Sequence, residues 1–448
     1  MSRVEYSEWR DPLTIGAEAV ASGIDASSLF DSQMEEVAPV DDVELQMGMR
    51  ITVSDFSLRI GKRIGFGSYG SVWEATVLED VPRANSKKGD VIAVKEIVVT
   101  PNFSYESAAY EVMIAKLLGS KSDRYPDVSV PMYLADHVAD QTAKRNMTVR
   151  LCMQKIAGDP LDTWMYKIDT SMWRETSVRE LTQDKWEVFP HNRNVGKKTT
   201  EEALGVASTM LRQLIPAFAR LENDAFHRDV NAHNVLYVPA ENIPNAPPQS
   251  TGQFYLIDFG MATDSNVWVQ EQKWRSGSIG GDTRYWGPGS WALYLWGTAC
   301  LDNDRKFGLL NQYSQRIDYF AFGILALELF FNLQQPSSDP DIERARSAFF
   351  QYWVLNIQIF QIVMKHYQGL LAEARGPLQS KNVFHVYMKE LTALSDSLIP
   401  LRAHPVVGPF IQVVQVTLNC RSDIKWHQYA YHLFLLKIII TSKSNAIN

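Results

Sequence analysis

FHRDVNAHNVLYV, residues 226–238, sets an Asp and an Asn five positions apart between two apolar runs. An Asp that accepts a hydroxyl proton and an Asn that helps hold a divalent cation are two of the groups that in-line phosphoryl transfer requires. Two residues after the Asp, where such a loop usually carries Lys, stands Asn231. Downstream, Asp258-Phe259-Gly260 supplies a second oxygen ligand of the kind a hard cation prefers. Asp-Phe-Gly alone is a common turn, so the signal lies in the order and spacing of the motifs.

Upstream, Gly65-Phe-Gly67-Ser-Tyr-Gly70-Ser-Val72 joins two β-rich runs. Its glycines allow backbone to approach phosphates without a Cβ clash, although a hairpin turn with no ligand reads the same way. A dinucleotide-binding reading would need a helix after the glycines, and a strand follows instead. Lys95 lies in the apolar strand Ile92-Ala-Val-Lys95, where an ammonium needs an anionic partner unless it snorkels to solvent. Glu111, inside the apolar face of the next helix, offers one carboxylate.

The rest of the chain gives the setting. ITVSDFSLRIGKRIGFGSYGSVWEATVLE reads as two β-rich runs, VIAVKEIVV (91–99) and VRLCMQKI (149–156) as strands, and SYESAAYEVMIAKLLG (104–119) as a helix ending on Gly119. From about residue 157 helices dominate. Thr199-Thr-Glu-Glu202 is a capping box that opens an amphipathic helix. QFYLIDF (253–259) reads as a strand, and IDYFAFGILALELFF (317–331), apolar nearly all round, as a buried helix. Segments 163–198 and 290–315 show little periodicity, and HLFLLKIII (432–440) reads as a closing core helix.

Composition narrows the functional classes. The apolar fraction is 46%, with no run near the roughly 18 to 20 residues that span a bilayer. The formal charge is −7, and residues 1–50 carry eleven Asp/Glu against three Arg, so the acidity belongs to that segment and the remainder is close to neutral. A neutral body argues against nucleic-acid binding, which needs a basic face. Three well-separated cysteines, Cys152, Cys300 and Cys420, have neither disulfide-framework nor metal-ligand spacing, and MSRVEYSEWR at the start has no apolar signal region. The expectation is an intracellular protein with reduced thiols and no transmembrane segment.

Taken together, the motifs resemble those of the eukaryotic-type protein kinase family over roughly residues 56–335. The resemblance implies an α+β, bilobal protein kinase-like fold: an acidic extension (1–50), a β-rich N-lobe with one main helix (51–155) and a mostly helical C-lobe (156–448) with insertions near 163–198, 239–252 and 290–315. It implies ATP and Mg²⁺ as cofactors and a protein substrate phosphorylated on Ser or Thr. Gly65, Gly67 and Gly70 would cover the phosphates; Ile64, Val72, Ala93, Met153, Gln154 and Ile156 would surround the nucleotide, with the hinge at 154–157. Lys95 would pair with Glu111 and with phosphates. Asp229 would be the catalytic base, Asn231 would stand near the transferring phosphate, and Asn234 and Asp258 would hold metal. Asp318 would fix the catalytic loop from below, and Cys152 would be an inert core thiol.

The chain departs from the family pattern in three ways. Asn231 replaces Lys, and a hydrogen bond from Asn231 to Asp282 is expected to hold the loop to the activation segment. Gly287-Pro-Gly289 stands in place of Ala-Pro-Glu, so the ion pair expected with Arg421 is missing. The insertions and acidic extension are longer than the family needs and are candidate partner-docking elements. Arg228, beside the base, is expected to await a phosphate on Ser278, or else on Ser276 or Thr283. A scaffold that has lost catalysis and a kinase for small molecules are the alternative readings.

Overall fold

The computed structural model describes residues 45–67, 70–99, 105–119, 129–141, 146–166, 196–246, 250–276, 279–304, 307–367, 375–380 and 382–429. Six strands, β1 (Arg50–Val53), β2 (Phe56–Gly67), β3 (Gly70–Val77), β4 (Val91–Val98), β5 (Tyr133–Gln141) and β6 (Asn146–Gln154), form an antiparallel sheet in the order β1-β2-β3-β4-β6-β5. The run expected to make two β elements makes three, because Ser54 at φ 54° turns the chain between β1 and β2. The edge strand β5, YLADHVADQ, had no sequence signal, since its polar residues break the apolar alternation.

β4 is almost continuously buried because both its faces are covered. Ile92 and Val94 enter one apolar cluster with Phe56, Leu58 and Trp73, whereas Ile97 enters another with Ala108 and Val112 of α1 (Tyr105–Gly119). The period-2 geometry then sends neighbouring charges to opposite faces. Lys95 meets Glu111 of α1, while Glu96 accepts the Leu45 N–H at 2.8 Å and the Arg150 guanidinium at 3.1 Å.

The helical part comprises α2 (Leu161–Tyr166), α3 (Thr200–Leu221), α4 (Ser265–Val269), α5 (Pro288–Trp296), α6 (Thr298–Asn303), α7 (Leu309–Gln315), α8 (Ile317–Leu333), α9 (Pro340–Tyr367), α10 (Arg375–Ser380), α11 (Val383–Leu398) and α12 (Gly408–Leu418). Short strands β7 (Asp159–Pro160), β9 (Val235–Val238) and β10 (Gln253–Leu256) form a small sheet, and β8 (Ala225–Phe226) pairs with β11 (Thr263–Asp264). The capping box forms: Thr199 Oγ accepts from Glu202 N, and the Glu202 carboxylate accepts from Thr199 N. Every residue of α8 is buried. A helix apolar all round has no face to give to water and ends at the centre of the core.

The segment 290–315, expected to be an insertion and a candidate for docking partners, contributes several of its described residues to the core. It folds as the end of α5 and all of α6 and α7, with Trp291, Leu293, Leu295, Leu301 and Tyr313 buried. Of the other two insertions, 239–252 is held to α3 through Thr251 on Thr209 (2.6 Å) and the Gly252 carbonyl on Gln213 (3.2 Å), while residues 167–195 lie outside the described residues. So do residues 1–44 and the stretch 432–440. No helix among the described residues is long and apolar enough to cross a membrane. Cys152 and Cys300 are buried and Cys420 is half-buried; all three are free, and burial pushes each thiol up to about 12.

The hairpin between β2 and β3 separates two kinds of glycine. A Cβ on Gly70 would lie 2.0 Å from the Glu96 carbonyl oxygen of β4, whereas one on Gly65 would meet only the Val72 side chain at 3.5 Å. Gly70→Ala is therefore expected to destabilise the chain by about 2 kcal/mol or more, in the range typical of overpacking, and Gly65→Ala by under about 1 kcal/mol. Urea unfolding of both variants checks this, and equal losses would refute the close-approach reading.

Candidate functional site

A cavity of about 870 Å³ lies between the sheet and the helical part. Ile64, Gly65, Gly70, Val72, Ala93, Lys95, Glu111, Met153, Gln154, Ile156, Asp229, Asn231, Asn234 and Asp258 all line it. Gly67 is the one candidate residue that does not. The sequence left unclear how residues so far apart would meet. β4 supplies Lys95, α1 supplies Glu111, β6 ends on Gln154, and the loops after β8 and β10 supply Asp229, Asn231, Asn234 and Asp258.

Lys95 is buried, and its Nζ lies 2.5 Å from Glu111 Oε1 and 2.7 Å from Asp258 Oδ1. The second contact was not foreseen. Burial opposes the ammonium charge, but Asp258 and Glu111 together overrule it and raise the Lys95 pKa. Burial also raises Asp258, yet the Lys95 charge and hydrogen bond prevail and bring it down to about 2. Glu111 remains raised by its burial, so the carboxylate that most firmly keeps Lys95 charged is Asp258.

The loop at 227–234 is shaped from beneath by α8. Asp318 Oδ2 and Oδ1 accept the backbone N–H groups of His227 and Arg228, each at 2.7 Å. Between them they hold Arg228 at φ 66°, a left-handed conformation uncommon for a long side chain. His227 Nε2 lies 3.2 Å from the Ile257 carbonyl and Nδ1 accepts the Asp229 N–H at 3.3 Å, a pattern that fits the neutral ring with its proton on Nε2.

The Asp229 carboxylate accepts three hydrogen bonds in the cavity. Its Oδ1 accepts from Asn231 Nδ2 at 2.8 Å and from the Asp282 backbone N–H at 3.0 Å, and its Oδ2 accepts from Asn234 Nδ2 at 2.8 Å. Burial and then the Asp282 charge hold its pKa above the ordinary carboxylate value.

The expected Asn231–Asp282 hydrogen bond does not form. Asn231 turns its amide to Asp229, two residues away, and its Oδ1 accepts the N–H groups of His233 (2.9 Å) and Asn234 (3.0 Å). The Asp282 carboxylate is taken by Arg284, and only its backbone reaches the loop. The local bond wins because two residues of chain need no further ordering to bring the groups together.

The anchor at Gly289 also differs from expectation. Its N–H donates to Gln312 Oε1 of α7 at 2.8 Å, and the adjacent Asn311 Nδ2 donates to the Cys420 carbonyl at 2.7 Å. Two consecutive side chains of α7 thus join segment 279–289 to the loop after α12, and Arg421 is not used. Arg228 stacks on Trp268 at 4.4 Å and reaches the Met261 carbonyl. Ser276 is exposed and Thr283 is buried; Ser278 lies outside the described residues.

A buried network links this segment to α8. Tyr166 and Tyr285 donate to the two carboxylate oxygens of Glu328 at 2.7 and 2.5 Å, and the Ala232 N–H donates to the Tyr285 hydroxyl at 3.2 Å. Glu328 sits three residues beyond the centre of a mostly apolar helix, and only the tertiary structure reveals its partners.

Oxygen donors suited to a hard cation remain. The bonds at Asp258 use Oδ1, from Lys95 and from Gly260 N, and those at Asn234 use Nδ2, which leaves Asp258 Oδ2 and Asn234 Oδ1. No cluster of three or more His, Cys, Asp or Glu able to hold a metal occurs among the described residues. Two protein oxygens fit Mg²⁺ of the kind that takes its other ligands from water and phosphates.

Two expectations follow from these bonds. Asn231→Ala removes a donor to Asp229 and the acceptor that shapes the loop. It should cost about 1–3 kcal/mol in urea unfolding and raise the Asp229 pKa in a carboxyl NMR titration; an unchanged Asp229 would refute the assigned bond. Burial pushes Glu328 up to about 7 from 4.5. The folded chain therefore keeps a proton that the unfolded chain has lost in that window, and this group's contribution to stability falls as pH rises through it. Glu328→Gln should flatten that part of the profile, so its deficit relative to wild type should shrink between about pH 4.5 and pH 7; a deficit that grows with pH would contradict the assignment.

Comparison of the chain with protein-family models and with curated sequences finds no match, which leaves the geometry of the cavity as the ground for assigning its chemistry.

Proposed function

We propose that the chain is an ATP- and Mg²⁺-dependent protein kinase of bilobal architecture, with the six-stranded sheet and α1 as the smaller lobe and the α8-centred helices as the larger. The observation that carries the proposal is the convergence in one cavity of the Lys95–Glu111–Asp258 cluster and the Asp229–Asn234 pair. Fixed cation, fixed base and free oxygen ligands are the parts from which phosphoryl transfer is assembled.

In this reading the adenine lies between Val72 and Ala93 on one side and Leu236 on the other, all of which line the cavity. Lys95, kept charged by its two carboxylates, holds the phosphates. The acceptor hydroxyl of a Ser or Thr side chain gives its proton to Asp229 as its oxygen bonds to the γ-phosphorus and the bond from that phosphorus to the bridging oxygen breaks. A raised carboxylate pKa suits a group that must take up a proton. Asn231 and the Asp282 N–H orient Asp229, and Asn231 brings no charge toward the phosphoryl group. Asp258 and Asn234 would hold Mg²⁺, which when bound offsets the charge that develops on the phosphates.

Transfer of radiolabelled γ-phosphate to protein, including to the chain itself with the sites mapped by mass spectrometry, tests the proposal. Asp229→Asn should abolish transfer while leaving Mg²⁺-ATP affinity near wild type, and Asp258→Ala should abolish transfer and lose the Mg²⁺-dependent part of that affinity. Nucleotide binding without transfer to any acceptor would support a scaffold, and transfer confined to small hydroxyl compounds would support a small-molecule kinase; either would overturn the proposal.

A further inference from the structure

The loop after α12 carries Arg421, Ser422, Asp423 and Lys425, and with Arg316 and part of α7 it encloses a second cavity of about 390 Å³. Arg316 in its wall is 3% exposed. Of the five N–H groups on a guanidinium, four reach neutral acceptors here. Nε donates to the Asn419 carbonyl at 3.1 Å, Nη1 to that of Ile424 at 3.0 Å, and Nη2 to that of Val416 at 3.0 Å and to the Tyr429 hydroxyl at 3.3 Å. The Tyr319 ring covers the group at 4.2 Å.

Among the described residues no carboxylate forms an ion pair with Arg316, Arg421 or Lys425. The direct acceptors of this buried cation are all neutral, so it lacks the ion pair that usually compensates a buried charge. Two carboxylates do line the cavity. Asp304 is committed to the turn into α7, accepting Phe307 N at 2.8 Å and Leu309 N at 2.6 Å, and Asp423 is exposed. Ser422 Oγ accepts the Ile424 N–H at 3.3 Å, which leaves its hydroxyl proton to donate.

We propose that this second cavity binds a phosphate-class oxyanion, held by Arg316, Arg421 and Lys425 and by the Ser422 hydroxyl. Three cations from two separate stretches of chain suit a doubly charged oxyanion better than a monovalent carboxylate; the Arg421 fork can match its oxygens bidentately, while Arg316 adds its charge and one remaining N–H. The ligand chemistry is shared by free phosphate and by the phosphoryl group of a modified peptide side chain. The inference rests on this cavity alone and does not require the phosphotransfer reading of the first.

The test is thermal unfolding of the full chain titrated with inorganic phosphate against chloride at matched ionic strength. The wild type should show a saturable rise in unfolding temperature. The double variant Arg421→Gln/Lys425→Gln, whose two sites are exposed and make no ion pair, should bind phosphate at least about tenfold more weakly, a loss of about 1.4 kcal/mol. No saturable response in the wild type, or an equal response in the double variant, would overturn the proposal. A phosphoserine peptide that competes more tightly than phosphate itself would support the site and identify a modified side chain as the ligand's source; a peptide that competes no better would support it with free phosphate as the source.

Discussion

Asp318 bears a constraint on which the rest of the cavity depends. Its carboxylate is buried on the first turn of α8 and is hydrogen-bonded to two consecutive backbone N–H groups, so it dictates the path of the loop at His227 and Arg228. Burial raises its pKa, and the two N–H donors work in the other direction by favouring the charged form. With the backbone fixed at Arg228, Asp229 projects into the cavity and the two asparagines that follow can both reach its carboxylate. α8 can serve as this fixed point because it has no solvent face: a shift of the helix would disturb packing on every side.

The loop and the segment above it are joined by neutral groups where charged ones were expected. Asn231 organises the loop through Asp229 and the following N–H groups, Gln312 holds Gly289, and Asn311 holds the Cys420 carbonyl. Each replaces Coulombic attraction with directional hydrogen bonds, which depend on close packing for their geometry. That explains why α5 to α7 are so thoroughly buried: an anchor made of amides needs rigid surroundings more than an ion pair does.

Much of this was legible in the sequence where chemistry and spacing coincide within one element. The glycine hairpin, Lys95 in its apolar strand, the Asp229–Asn234 loop and the capping box at Thr199 each announce themselves locally, and all but Gly67 of the proposed cavity residues do line one cavity. Elements defined by tertiary context were not legible. The edge strand β5 carries Asp136, His137, Asp140 and Gln141, so alternation fails. α5 to α7 are short and buried on several faces, so no amphipathic period exists to detect. The partners of Gly289 and Glu328 are set by packing between distant elements, while Asp282 pairs locally with Arg284, and a sequence pattern cannot rank a local bond against a remote one.

Cys152 lies in the sheet, whereas Cys300 and Cys420 both lie in the helical part, within reach of the Asp304 charge. Burial pushes each thiol up to about 12, so almost none is thiolate at neutral pH; reagents that attack sulfur have to wait for the structure to open at buried Cys152 and Cys300, while half-buried Cys420 is only slowed. The chain thereby carries one native reporter of fluctuation in the sheet and two in the helical part. Labelling rates at the three positions, compared with and without nucleotide or phosphate, would resolve which region each ligand quiets, with no cysteine added or removed.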